Sequence, residues 1–153
     1  MEDDLHIRQV TKDDLPSLLS LYRHLIADDP ILTETDAIYI LDQLHRYEGS
    51  KILVGLIDGE VVSTCTLIIV PNLTRGGTSY ALLENVVTHE RYRKRGFARL
   101  ILKTAVDSAW HHGCYKVMLL TGSQELGTLE FYEKAGFTQD KTGCQIRRVP
   151  PRA

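Results

Sequence analysis

Arg91, Arg93, Lys94 and Arg95 crowd four cations into five positions, and Gly96 and Ala98 follow at once. Placed ahead of a helix, such a run can hold a pyrophosphate. The cations raise the local potential, and Gly96 admits a bulky anion where a Cβ would intrude. Ala98 keeps the next turn thin. The N–H groups around Arg95 to Ala98 have no intrahelical partners and can donate to the anion. A solvated basic helix start is the plain alternative. A nucleic-acid patch is another, but it would spread basic residues over a whole face, whereas these cluster in a chain of net charge −2.

Glu84 is the second group with chemistry in it, a carboxylate on an otherwise apolar run. Burial there would raise its pKa and suit it to act as a general base near neutral pH. It can equally bind the ammonium of a substrate or pair with a basic residue across a sheet. Asn85 beside it and Arg75 in the preceding loop are candidate substrate contacts, Arg75 for a phosphate or carboxylate. Solvent exposure is the competing reading of Arg75, and plain packing or exposure that of Tyr39 and Tyr47, which could line an acceptor pocket.

Other chemistries lack the residues they need. His111 and His112 are adjacent, so they point to different faces of a helix, and neither they nor His89 have carboxylates or cysteines at ligand spacing; no metal is expected. A helix C-terminus explains His111 and His112. Three cysteines without a CxxC pair, Cys65, Cys114 and Cys144, argue against a disulfide framework. No GxSxG elbow occurs.

The elements that must position these groups follow from periodicity. Leu5 to Val10 alternates as a strand. Thr11 and Asp14 then start a helix whose face of Leu15, Leu18, Leu19, Tyr22, Leu25 and Ile26 runs to near Asp28-Asp29-Pro30. A second helix is expected from about Glu34 to Tyr47. Ile52 to Ile57 and Val61 to Val70 form a hairpin around Asp58-Gly59, and Pro71 to Thr78 is a loop. Ser79 to Thr88 is a largely apolar central strand. Gly96 to His112 is a helix with Phe97, Leu100, Ile101, Ala105 and Ala109 on one face, stopped by Gly113. Tyr115 to Leu120 reads as a buried strand, Leu126 to Ala135 as a short helix, and Phe137 to Val149 as a last strand or hairpin before a frayed tail at Pro150 to Ala153.

At 153 residues, with 43% apolar and 25% charged residues, the chain suits one soluble globular domain. No window approaches the roughly 18 apolar residues of a membrane span, and the acidic N-terminus lacks the parts of a signal peptide. Cytoplasm is the expected compartment, with neither nucleic acid nor membrane as a partner.

The order Arg93-x-x-Gly96-x-Ala98 resembles the acyl-CoA signature of the GNAT superfamily of N-acetyltransferases. A second stretch, Gly113-Cys114-Tyr115-Lys116 through Phe131-Tyr132-Glu133-Lys134-Ala135-Gly136-Phe137, matches the superfamily at the expected distance downstream. Within it the sequence is most similar to the glucosamine-6-phosphate N-acetyltransferases, through Glu84-Asn85-Val86-Val87 and the two downstream patches. Asn85 stands where that group usually has an acidic residue, and Thr128 where asparagine is frequent.

The resemblance implies a mixed α/β fold with a mostly antiparallel central sheet flanked by helices. Acetyl-CoA would lie in a V-shaped opening between the two central strands. Its pantetheine arm would meet the backbone of Val86, Val87 and Thr88, and its pyrophosphate the turn Arg93, Lys94, Arg95, Gly96, Phe97 and Ala98, with further contacts from Thr128 and Phe131. The superfamily uses a tyrosine in the place of Tyr132 to protonate the leaving thiolate, which suits a phenol of pKa about 10. Packing with Phe131 and Phe137 is the alternative for Tyr132.

Residues 1–153 are thus expected to form one acetyl-CoA-dependent N-acetyltransferase domain. It would acetylate a primary amine of a small molecule, an amino-sugar phosphate or similar, by direct attack in a ternary complex. A backbone N–H near Val86 or Val87 would stabilise the developing oxyanion. A non-catalytic acetyl-CoA-binding regulatory module is the alternative. A homodimer is the expected assembly.

Overall fold

The computed structural model describes residues 4–123 and 125–150, which form two compact units dividing at Leu119/Leu120. The first carries a five-stranded sheet in the order β1-β2-β3-β4-β5. Its strands are β1 His6–Gln9, β2 Lys51–Ile57, β3 Glu60–Val70, β4 Tyr80–Thr88 and β5 Val117–Leu119. The first four pair antiparallel, and β4 pairs parallel with β5. This is the mixed, mostly antiparallel sheet flanked by helices that the sequence led us to expect.

The hairpin turns on Asp58 and Gly59, whose φ angles of 47° and 81° are the positive values of a tight two-residue turn. Helix α1 (Leu15–Tyr22) is preceded by a single 3-10 turn, Lys12–Asp14, in which Thr11 donates its N–H to the Asp14 carboxylate at 2.7 Å. Helix α2 (Glu34–Leu44) is capped by Thr33, which accepts from the Asp36 N–H at 3.1 Å. Leu15, Leu18 and Leu21 of α1, with Ala37 and Leu41 of α2, pack into one core cluster with Val54, Leu56, Val61 and Val87 of the sheet.

Helix α3 (Thr74–Gly77) is a single distorted turn, and α4 (Phe97–His111) is the long helix of the unit. Phe97, Ile101, Leu102, Ala105 and Ala109 of α4 are buried, on a face at helical spacing. The second unit holds α5 (Leu126–Lys134), closed by Phe137 N–H bonding to Tyr132 C=O at 3.0 Å.

Several expectations are corrected. α1 stops at Tyr22, after which the chain closes mainly short-range turns such as His24 N–H to Leu21 C=O; Leu25 and Ile26 are therefore exposed rather than on a buried face. α2 ends at Leu44, so Tyr47 lies beyond it and is exposed. On α4, Leu102 is buried in place of Leu100, which sits at the rim of the stripe and is 47% exposed. The strand expected over Tyr115 to Leu120 shrinks to three half-buried residues, because only Ala81–Leu83 of β4 pairs with it. Over residues 137–150 no strand forms, and 138–150 are exposed. Residues 151–153 of the expected tail lie outside the described residues.

Candidate functional site

The register of β3 and β4 builds the centre of the site. Thr66 pairs with Glu84, but two residues back along β3 Thr64 pairs with Val87, three residues on along β4. One extra residue is therefore accommodated in β4. Asn85 takes it up with a φ of 51°, in the left-handed region that asparagine tolerates better than most residues. Cross-strand partners share a face of the sheet, so the bulge puts Glu84 and Val87 on the same side. Val87 faces the core under α1 and α2, whereas Glu84 is exposed. The burial that was to tune the Glu84 carboxyl is thus not found.

The β3 register passes over Asn85 and Val86, and among the described residues pairing with β5 stops at Leu83, so the rest of β4 runs on past β5 along the edge that was expected to meet a pantetheine arm. The Thr88 hydroxyl lies 2.8 Å from that of Ser63, and its carbonyl accepts from Arg93 Nε at 3.1 Å.

Beyond Thr88 the chain turns into α4 through aromatic and cationic side chains. The Arg95 guanidinium lies over the Tyr92 ring at 5.1 Å, and the Tyr92 and Phe97 rings stack at 6.2 Å. Lys94 and Gly96 take φ values of 63° and 81°. A Cβ built on Gly96 meets nothing within 4 Å, so open space lies where an anion was expected to approach. The first intrahelical bond runs from Leu100 N–H to Gly96 C=O at 3.1 Å, which leaves the N–H groups of Phe97, Ala98 and Arg99 without intrahelical acceptors. Arg93, Lys94 and Arg95 are exposed beside them. Positive potential, free donors and room converge at this turn, and the residues present fit a diphosphate.

His89, just before the turn, accepts the Arg91 N–H on Nδ1 at 3.1 Å, and its ring lies 4.2 Å from that of His24. Burial lowers its pKa, and His24 and Arg91 push it further the same way.

Arg75 has no part in this cluster. It caps the other end of β4, near Tyr80, with its guanidinium 5.3 Å over the Tyr115 ring, while the Gly96 turn follows the Thr88 end. Tyr39 is exposed on α2.

In the second unit, Tyr132 and Phe131 are half-buried on α5, with ring centroids 5.2 Å apart, and Tyr132 meets Phe137 edge-on at 6.1 Å. Thr128 Oγ1 accepts from the Ser123 hydroxyl at 3.1 Å. Among the described residues no group of three or more His, Cys, Asp or Glu side chains is arranged to hold a metal ion. No helix of the described residues is long and apolar enough to cross a membrane.

Sequence reasoning missed the bulge and the residues it aligns. The signal was present: an asparagine inside a largely apolar strand marks a position where positive φ is cheap.

Comparison with known proteins agrees with this geometry. Residues 18–137 match the profile of the acetyltransferase (GNAT) family. The chain is 33% identical over 136 residues to glucosamine 6-phosphate N-acetyltransferase of Trypanosoma brucei brucei, covering 88% of this chain and 89% of that protein. It superposes with a TM-score of 0.88 on a protein of Agrobacterium tumefaciens str. C58 assigned to the acetyltransferases, at 45% identity, covering 94% of this chain and 99% of the other. The glucosamine-6-phosphate N-acetyltransferase of Arabidopsis thaliana gives the same TM-score at 20% identity, over 95% and 99% of the two chains, a likeness of fold.

Proposed function

Since the chain belongs to the GNAT acetyltransferase family, we propose that it transfers acetyl from acetyl-CoA to a primary amine of a small molecule, with residues 1–153 acting as one catalytic domain. The observation that carries the reading is the Gly96 turn, where open space, three N–H groups without intrahelical acceptors and exposed cations coincide. An amino-sugar phosphate is the first acceptor to test, because a relative 33% identical carries that activity in its name.

When bound, acetyl-CoA supplies an activated acetyl thioester. Phe97 and Ala98 would hold its diphosphate through their N–H groups, with Arg93, Lys94 and Arg95 balancing the charge. The main chain of Val86, Val87 and Thr88 would carry the pantetheine amides, and Thr128 and Phe131 add contacts. Glu84 accepts the proton that the attacking nitrogen must lose, directly or through water. The Val86 N–H donates to the carbonyl oxygen as negative charge develops there. Tyr132 delivers a proton from its Oη to the departing sulfur. Attack is direct, and no residue of the chain is acetylated.

The net charge of −2 gives no general attraction to nucleic acid or an anionic membrane, and the cytoplasm is the compartment proposed. The full exposure of Ile146 and the 73% exposure of Val149 support a homodimer that covers them.

The test is mass-spectrometric detection of acetylated product from acetyl-CoA and a panel that includes glucosamine 6-phosphate, amino acids and polyamines. Acetylation of one class identifies the acceptor. Binding of acetyl-CoA without turnover across the panel would replace the transferase with a regulatory acetyl-CoA-binding module.

A further inference from the structure

Tyr92 stands in the middle of the turn that leads into α4. Its N–H bonds to the His89 carbonyl at 2.9 Å, closing the 3-10 turn Glu90–Tyr92. Its half-buried ring meets three neighbours: the His89 ring edge-on at 5.7 Å, the Phe97 ring stacked at 6.2 Å, and the Arg95 guanidinium over its face at 5.1 Å. Phe97 is buried with Ile57 and Val62, and Tyr92 packs against the same cluster. One ring therefore joins a buried cluster at the sheet to an exposed cation at the start of α4.

The backbone aims Arg95 at that ring. Lys94 and Gly96, on either side of it, lie in the left-handed region at φ 63° and 81°. Few lysines adopt this conformation; here it folds the chain back so that Arg95 covers Tyr92. Arg95 Nη2 also donates to the Arg91 carbonyl at 3.3 Å. Ring and carbonyl together restrict a side chain with many rotamers, and an arginine ordered in advance loses less freedom when it meets an anion. With five N–H donors in a rigid fork, a guanidinium can keep the Arg91 bond and meet an oxyanion at the same time.

We propose that Tyr92 is a positioning residue of acetyl-CoA binding. The face of its ring holds the Arg95 guanidinium ready for the diphosphate, at the end of α4 where the N–H groups of Phe97 and Ala98 lack intrahelical acceptors. The electrostatic attraction between ring face and cation is what does the holding. The inference rests on the transferase reading, because it needs acetyl-CoA at the Gly96 turn, and adds to it the residue that orders the cation.

The experiment is calorimetric titration with acetyl-CoA of the wild type, Tyr92→Leu, Tyr92→Phe, Arg95→Gln and the double variant Tyr92→Leu/Arg95→Gln, each shown to be folded by circular dichroism. Tyr92→Leu should weaken binding about tenfold. Tyr92→Phe keeps the ring and should stay within about twofold of the wild type. In the Arg95→Gln background, Tyr92→Leu should change the affinity by no more than about twofold, because the cation it orders is gone. A ring that merely supported the turn would weaken binding equally in both backgrounds. A second arm keeps the shape of the ring: Tyr92→Phe made with trifluorinated phenylalanine. Fluorine draws electron density from the ring face, so binding should fall relative to plain Tyr92→Phe, and only where Arg95 is present. This arm decides the matter should Tyr92→Leu fail to fold. Equal weakening with and without Arg95, wild-type affinity in Tyr92→Leu, failure of Tyr92→Phe to restore binding, or indifference to fluorination overturns the inference. Binding by the wild type without this coupling sinks the role of Tyr92 alone, whereas no binding by the folded wild type sinks the transferase reading with it.

Discussion

Glu84 and Val87 lie three positions apart on one strand yet project from the same face of the sheet, because Asn85 between them occupies the left-handed region. Regular alternation would put them on opposite faces. The consequence is a strand that does two jobs on one face, three residues apart. Val87 closes the core under α1 and α2, and Glu84 stays exposed just past the point where pairing with β5 ends.

Tyr132→Phe should bind acetyl-CoA as the wild type does and lower kcat by about 100-fold, the usual scale of a lost general acid. Pre-steady-state kinetics with chemistry shown to be rate-limiting checks this. An unchanged kcat under those conditions removes Tyr132 as the acid.

Glu84→Gln keeps the shape of the side chain and removes its titration. The acidic limb of the kcat/KM profile should disappear along with most of the rate. A profile that keeps its limb would make Glu84 a ligand of the acceptor's ammonium instead of the base.

Asp14 is held by Arg8 through bonds of 2.6 and 2.9 Å, and by the Thr11 N–H and hydroxyl. The bonds from Arg8 are the main reason its pKa falls from 3.8 to about 2, with burial acting the other way. The folded value lies below the unfolded one, so the stabilisation is present above pH 3.8 and is lost as pH falls through about 2. Asp14→Asn should cost about 1–2 kcal/mol at neutral pH, after allowing for the partial exposure of Arg8. Urea melts at pH 7 and pH 2 should show the difference between variant and wild type shrinking at the lower value.

The depressed pKa of His89 gives a second pH dependence. The unfolded chain takes up a proton near 6.5, before the folded protein does. Stability should therefore be full above 6.5, decline as pH falls toward the folded value, and then level off. Protonation also ends the acceptance of the Arg91 N–H and adds a charge facing His24 and Arg91, which Glu90 and Glu60 offset in part. His89→Asn retains a capping acceptor without the titration. Its Tm between pH 5 and 7 should be flatter than that of the wild type, and parallel curves would contradict the assignment.

Much of this was legible in the residues. Asp58-Gly59 announced its hairpin because few pairs tolerate two positive φ angles, and Gly96 and Ala98 announced the turn because an anion site needs thin residues there. Failures came where tertiary pairing decides. Leu25 and Ile26 continue the helical period of α1, but no core lies under them. Residues 137–149 have strand composition but gain no partner strand.

The central claim is that the Gly96 turn holds acetyl-CoA, and calorimetric titration of the wild type and Gly96→Glu tests it most directly. Glutamate would fill the open space beside the turn, set a negative charge against the diphosphate and strain a backbone φ of 81°. The expected result is micromolar binding by the wild type, on the order of −8 kcal/mol, abolished in a variant that remains folded by circular dichroism. Absence of binding by the folded wild type, or equal binding by the variant, would contradict the account at its base.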